Sequence, residues 1–264
     1  MNNIKISAFS DFTPDGSLYD DVTISGMGDV NGSVNCKTLT ISGCGNVNGS
    51  VKCEKHVHIS GTGGIDGSVV CGGELICSGC GEIGGDVLCK GSLKMSGTAD
   101  IHGNIECKEA TLSGAGDIMG SLKCAERVDI SGTGNVKGDI NAEKVVMSGS
   151  TTAKKNVSCE SAQISGTTEI NGLLNAEEIH IVLGNVNICE IGCTKLSVVA
   201  KDKKRGQLCC KTIEGDEISL VNTSAEVVRG KNVKIGPMCN VDVVEYSDTL
   251  EIDSEAAVGT QNKI

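Results

Sequence analysis

Ile24-Ser25-Gly26-Met27-Gly28-Asp29-Val30-Asn31-Gly32-Ser33-Val34-Asn35-Cys36-Lys37-Thr38-Leu39-Thr40-Ile41-Ser42-Gly43 holds one full period of the chain and the start of the next. The triplet returns, with its Ser at positions 25, 42, 60, 78, 96, 113, 131, 148 and 165, at steps of 17 or 18 residues. Gly follows each of these serines, and an apolar residue precedes each one, from Ile24 and Ile41 through Cys77 and Met95 to Ile164. Five residues after the Ser stands Val, Ile or Ala (Val30 to Ile170), and nine residues after it Val, Ile or Leu (Val34 to Leu174). Seven residues after it stands Gly, Lys155 being the exception. Eleven residues after it the chain places Cys36, Cys53, Cys71, Cys89, Cys107, Cys124 and Cys159, with Ala142 and Ala176 in the two remaining periods. Alternation with period two turns one side of an extended chain inward, and no helical period of 3.6 accompanies it.

The two step lengths have one origin. From Ser to the Cys/Ala position is always 11 residues, whereas the return to the next Ser takes 6 or 7, as Cys36-Lys37-Thr38-Leu39 against Cys53-Glu54-Lys55-His56-Val57 illustrates. One corner therefore tolerates an extra residue while the rest of the coil keeps register. Glycine at fixed corners suits sharp turns, which need either a positive φ or close backbone approach. A single coil buries too few side chains to fold alone, so coils must stack and share a continuous core. These features predict an all-β fold: a three-sided parallel β-helix (β-solenoid) of roughly 14–15 coils. Periodicity alone does not settle its hand. Steps of 17 break the multiples of six used by left-handed hexapeptide helices, which favours a right-handed coil.

Regular repeats are expected over residues 1–182. A break in register with a basic loop is expected over 183–210, and diverged C-terminal coils with a cap over 211–264, where Ile218-Ser219-Leu220, Val233-Lys234-Ile235 and Leu250-Glu251-Ile252 restore apolar alternation.

Composition agrees with a narrow core. The 264 residues include 36 Gly, 2 Pro, no Trp and only four aromatics, Phe9, Phe12, Tyr19 and Tyr246. Rings dominate the cores of compact globules, and stacked coils have little room for them. A net charge of −11 argues against nucleic acid as a partner, since phosphate binding requires a cationic face. The one basic run, Lys201, Lys203, Lys204 and Arg205 around Asp202, reads as a solvated loop. The N-terminal Met1-Asn2-Asn3-Ile4-Lys5-Ile6 lacks the regions of a secretory signal, and no apolar run spans a bilayer. The 15 cysteines are thus expected as thiols in a reducing cytoplasm, with membrane association left open.

Short Gly-punctuated coils of 17–18 residues without aromatics resemble the bactofilins, polymer-forming bacterial cytoskeletal proteins. The stretch from Val228-Arg229-Gly230-Lys231-Asn232 through Gly236-Pro237-Met238-Cys239, with Val244-Glu245-Tyr246 and Leu250-Glu251-Ile252-Asp253, is similar to the tail of long Firmicute-type members. The resemblance implies a right-handed β-helix, nucleotide-independent end-to-end polymerisation and a scaffolding role near the cell envelope. The chain departs from typical members in its greater length and in lacking a convincing membrane-targeting N-terminal peptide, which puts direct membrane binding in doubt.

The cysteine column Cys36, Cys53, Cys71, Cys89, Cys107, Cys124 and Cys159 reads as a buried structural ladder, because Ala replaces Cys at the same position and a small apolar volume suffices there. Neighbouring thiols ~4.8 Å apart fall inside the Cα window of a disulfide, but parallel in-register side chains bridge poorly. Cys77-Ser78-Gly79-Cys80 has CxxC spacing without a second pair, and Cys189, Cys193, Cys209 and Cys210 sit where register breaks; both are weak metal candidates. His56, His58, His102 and His180 do not recur at one coil position, and the acidic residues Asp29, Glu82, Asp100, Asp117 and Glu169 are interrupted by Asn46, Gly64, Asn135 and Thr152, which a solvated corner explains. No catalytic residue, metal or cofactor is expected.

Phe9, Phe12 and Tyr19 near one terminus and Tyr246 near the other are candidate end-cap or polymerisation contacts. The function expected is a self-assembling structural protein that partners with itself, and with cell-envelope or morphogenesis proteins as further candidates. The alternative is a monomeric β-solenoid adaptor that binds a protein on a lateral face. An acyltransferase- or lyase-type solenoid enzyme is the least favoured.

Overall fold

The computed structural model describes residues 2–200 and 206–264, so the Lys201–Arg205 basic run lies outside the described residues. Every regular element among them is a β-strand, and the coils number about 15. The chain divides into two compact units, Met1–Gly138 and Asp139–Ile264.

In the first unit three parallel ladders run from coil to coil, one for each side. The first joins Val34, Asn35 and Cys36 to Val51, Lys52 and Cys53, then to Val69, Val70 and Cys71, then to Val87, Leu88 and Cys89. It continues through Ile105 and Glu106 to Leu122, Lys123 and Cys124. The second joins Val22 and Ile24 to Leu39 and Ile41, Val57 and Ile59, Leu75 and Cys77, and Leu93 and Met95. The third is built from the bridges Phe12–Val30–Val47–Ile65–Ile83, and from Ile101–Ile118–Val136. Between the first and second ladders the pairing shifts register at Cys36/Thr38 and at Cys107/Glu109, so the eighteenth residue of the longer coils is absorbed there without disturbing either ladder.

The core is aliphatic with interleaved thiols, and Tyr19 is its one buried ring. In the first unit the Gly after each triplet Ser is required by proximity and not by an unusual φ, whereas Gly166 in the second unit also has φ +89°. The amides of Ser60 and Gly61 both donate to Ile41 O, at 2.8 and 3.2 Å, and Thr62 N–H to Gly43 O at 3.0 Å. This draws the corners so close that a methyl at Gly61, Gly79, Gly97, Gly114 or Gly132 would overlap the carbonyl oxygen of the glycine one coil earlier. Two polar columns hold the other corners. Asp29 N–H donates to Asp11 Oδ1, Asn46 N–H to Asp29 Oδ1 and Gly64 N–H to Asn46 Oδ1. Ser50 N–H donates to Ser33 Oγ, Ser68 N–H to Ser50 Oγ, Asp86 N–H to Ser68 Oγ and Asn104 N–H to Asp86 Oδ1. The recurrent acidic positions thus satisfy amides that turn away from the ladders.

The second unit opens with short strands, among them Lys144–Met147, Ser150–Ala153 and Val157–Ser158, each paired 17 residues on with Ser161–Val199. The strands Gln207–Leu220, Thr223–Ile235, Asn240–Ile252 and Ala257–Lys263 follow. Coil length varies here. Asn185 pairs with Gln207, Leu208 with Thr223, and Asn240 with Ala257. Apolar alternation nevertheless continues inward through Ile188, Ile191, Leu208, Ile213, Val228, Val233, Val241 and Val244. No helix among the described residues is long and apolar enough to cross a membrane.

Candidate functional site

The thiol column is the densest concentration of reactive side chains. Cys36, Cys53, Cys71, Cys89, Cys107 and Cys124 are buried on consecutive coils of the first unit, and all fifteen cysteines are free. Each thiol lies at the corner where the first ladder turns into the second. Cys53 Sγ–H is 3.0 Å from Lys37 O and 3.1 Å from His56 O, and Cys71 is 3.1 Å from Lys55 O and 3.3 Å from Glu74 O. Cys89 is 2.7 Å from Gly73 O. The sulfur thus does more than fill a small volume: it offers a weak donor to corner carbonyls, among them Gly73 O and Glu74 O, which also accept a backbone amide. Cys107 and Cys124 sulfurs are 3.3 Å apart.

Thiol–thiol contacts act in opposite directions along the column, pulling Cys71 and Cys107 down against the opposing effect of burial. Shared thiol contacts and then burial push Cys53 and Cys89 up, and contact with Cys107 followed by burial pushes Cys124 up. Burial alone raises Cys77 to about 12. A neutral buried thiol is a poor nucleophile and a poor metal ligand.

Cys159, in the second unit, is half-buried, unlike the buried position expected of it. Ala142 N–H donates to Ser158 O and Cys159 N–H to Asn175 O, which places Cys159 in a column with Ala142 and Ala176. Their small side chains cover it less than a neighbouring thiol covers its counterparts.

The aromatic residues separate. Phe12 and Tyr19 meet edge to face, with ring centroids 5.5 Å apart at 81°. Tyr19 pairs in register with Cys36, so its ring fills the thiol position of the first complete coil, and Phe12 fills the valine position of the third ladder. Tyr19 is 3% exposed; its hydroxyl donates to Asp15 Oδ1 at 2.7 Å and accepts from Asp15 N–H at 3.1 Å. Phe9 is 80% exposed and joins neither ring. In the second unit Tyr246 is half-buried, with Lys263 Nζ 6.0 Å above its ring.

The remaining candidates do not converge. No group of three or more His, Cys, Asp or Glu among the described residues is placed to share a metal ion. His102 meets Glu82 at 3.1 Å beside the third ladder, whereas His58 lies on the second, paired with Ile76. Cys210 is buried, Cys189 and Cys193 are half-buried, and Cys209 is exposed. A groove of 880 Å³ in the second unit is lined by Glu190, Thr212, Glu214, Arg229, Lys231 and Ile264. Arg229 spans its wall, 2.7 Å from Glu245 and 3.5 Å from Glu214, and Lys231 pairs with Asp216 at 2.9 Å. Glu160 and Glu177 line it as well as Glu190, so the groove carries more acidic than basic side chains. One feature absent from the sequence reading is apolar and outward: Val70 and Leu88, on neighbouring rungs of the first ladder, are 40% and 44% exposed. Its signal was two consecutive apolar residues at a coil position held on the other rungs by Leu18, Asn35, Lys52, Glu106 and Lys123.

Comparison with known proteins bears on the repeat. The family model described as "Bactofilin: Polymer-forming cytoskeletal" matches three times, over residues 11–80, 73–151 and 110–191, which together take in more than half of the chain. Two uncharacterized proteins of Bacillus subtilis (strain 168) are similar. YhbF is 38% identical over 82 residues, covering 30% of this chain and 35% of its own length. YhbE is 40% identical over 83 residues, covering 28% and 35%. The chain thus spans about a third of the length of these curated relatives. No solved structure matches.

Proposed function

Since the chain belongs to the bactofilin family of polymer-forming cytoskeletal proteins, we propose that it is a structural subunit that assembles into nucleotide-independent filaments by end-to-end stacking of its β-helix. The observation that carries this reading is the parallel pairing of the first ladder, repeated from coil to coil. Successive coils bond through the same positions, so the lattice that joins one coil to the next can equally join the outer coil of one subunit to that of another. The exposed strand Ala257–Lys263, bonded to Asn240–Ile252, offers backbone groups of the geometry required. The role is structural and not catalytic, which accords with polar columns spent on backbone amides and thiols packed into the corners of the coils. Its principal partner is a second copy of itself, and its scaffolding place is at the cell envelope.

Electron microscopy of the purified protein with and without nucleotide tests this. Filaments of equal length in both conditions are expected; single particles at every concentration and salt would refute it. The second reading, a monomeric adaptor, draws on the 880 Å³ groove of the second unit. It predicts those single particles together with a partner retained through Arg229 and Lys231.

A further inference from the structure

The outward positions of the first ladder form one continuous column in the first unit: Leu18, Asn35, Lys52, Val70, Leu88, Glu106 and Lys123. Val70 and Leu88 stand exposed at its centre, above a concavity of 350 Å³ that Ile105, Glu106 and Lys123 also line. Beside Val70 the chain turns through Gly72 and Gly73, which carry no side chain to wall off the apolar pair. Lys52 lies one rung before Val70 and Glu106 one rung beyond Leu88, so the apolar pair is bounded by opposite charges. Lys52 has no ion-pair partner among the described residues, whereas Glu106 meets Lys123 at 3.1 Å.

We infer that this column is a lateral interface with a second copy of the chain, packed face to face and antiparallel. A two-fold axis lying between the faces, along the strands and midway between the Val70 and Leu88 rungs, brings Val70 of each copy against Leu88 of the other. The same operation sets Lys52 against Glu106 twice, making the contact self-complementary. A parallel arrangement would oppose Lys52 to Lys52 and Glu106 to Glu106, and like charges reject it. Sheet faces pack ~10 Å apart, a gap that Lys and Glu side chains close from opposite sides.

The six rungs from Asn35 to Lys123 that the axis matches, at ~4.8 Å each and ~10 Å wide, give a strip of roughly 290 Å² per partner, well under the ~800 Å² of a stable interface. One contact is therefore weak. It gains from repetition along a polymer, where each added subunit pairs at high effective concentration. The gain rests on the filament reading above; the pairing itself does not.

Zero-length carbodiimide coupling of an equal mixture of ¹⁵N-labelled and unlabelled full-length protein, followed by mass spectrometry, tests the inference. Within one chain Lys52 and Glu106 are three rungs apart, about 14 Å, beyond direct amide formation. A mixed-label Lys52–Glu106 link therefore reports two copies, and the Lys123–Glu106 link serves as the internal control. Lys52→Glu or Glu106→Lys alone is expected to lower self-association through this face about tenfold, and the double reversal to restore it. Microscopy of the same samples separates the two readings. Bundled wild-type filaments with the mixed link, and single filaments from Val70→Ser/Leu88→Ser, support the inference. The mixed link without any filament supports it while sinking the filament reading. Absence of the link, or a double reversal that fails to restore association, overturns the inference whether or not filaments form.

Discussion

Replacing Gly97 with Ala should break the first unit at its middle. The added methyl would overlap the Gly79 carbonyl oxygen and lie 2.7 Å from Ser78 O and 2.8 Å from Gly79 C. Ordinary carbon contacts begin at about 3.5 Å, so the corners must part by roughly 1 Å or more. The contacts are backbone and cannot rotate away. Parting stretches Thr98 N–H to Gly79 O from 3.0 Å and Ser96 N–H to Cys77 O from 2.9 Å, both beyond useful range. Two lost bonds contribute about 2 kcal/mol, and leaving a buried partner unpaired adds about 1–3 kcal/mol, for a total of about 3–5 kcal/mol. Gly192→Ala is the matched control, because its methyl would meet only Asn175 Oδ1 at 3.2 Å and Leu173 Cδ1 at 3.7 Å. Stacked coils need not unfold in one step, so hydrogen exchange resolved by segment should accompany urea denaturation. The expected result is loss of protection concentrated in coils 78–113 and a large fall in midpoint for Gly97→Ala, with little change for the control. Equal and small effects for both would refute close approach as the reason for glycine at this corner.

Three further outcomes follow from single groups. Hydrogen bonds from the Ser17 hydroxyl and the Tyr19 hydroxyl, joined by the Ser17 amide, hold Asp15 down from 3.8 to about 2. Its folded value lies below the unfolded one, so the contribution is present above pH 4 and lost as pH falls towards 2. Amide exchange at Ser17 should show that loss, and Asp15→Asn should abolish the pH dependence. Cys77, raised by burial to about 12, works in the opposite range. Stability is full below the ordinary thiol value near 9 and declines towards pH 12, by up to about 1.4 kcal/mol per pH unit. Cys77→Ile, which matches Ile41 and Ile59 in the same column, should flatten urea midpoints between pH 9 and 11, and an unchanged slope counts against the assignment. Thr151 and Thr168 pair in register with buried hydroxyls that make no hydrogen bond among the described residues. Thr151→Val should therefore stabilise by about 1 kcal/mol in thermal unfolding, and a destabilised variant would show that the hydroxyl has a partner.

The inward column of Val34, Cys36, Leu39 and Ile41 and its copies was readable from the chain alone, because strand side chains alternate with a fixed period and a buried side tolerates only apolar residues. The corner that takes the eighteenth residue was readable for a related reason: an insertion inside a ladder would reverse every later side chain, so it must fall where pairing lapses. Other features depend on which residue lies one coil away, a relation set by accumulated steps that local pattern does not specify. Tyr19 looked like a terminal aromatic and proves to occupy the thiol column, because the strand Leu18–Ile24 pairs with Val34–Ile41 in that register. Asp29 and Asp117 looked like solvated corners and instead accept amide hydrogen bonds from the following coil. Coil steps in the second unit, from Asn185–Gln207 to Leu208–Thr223, follow no single period that the sequence displays. Alternation is a property of neighbouring residues and survives in sequence. The stacking that aligns Lys52, Val70, Leu88 and Glu106 joins residues 17 or 18 apart through hydrogen bonds, and only the folded coils bring them into line.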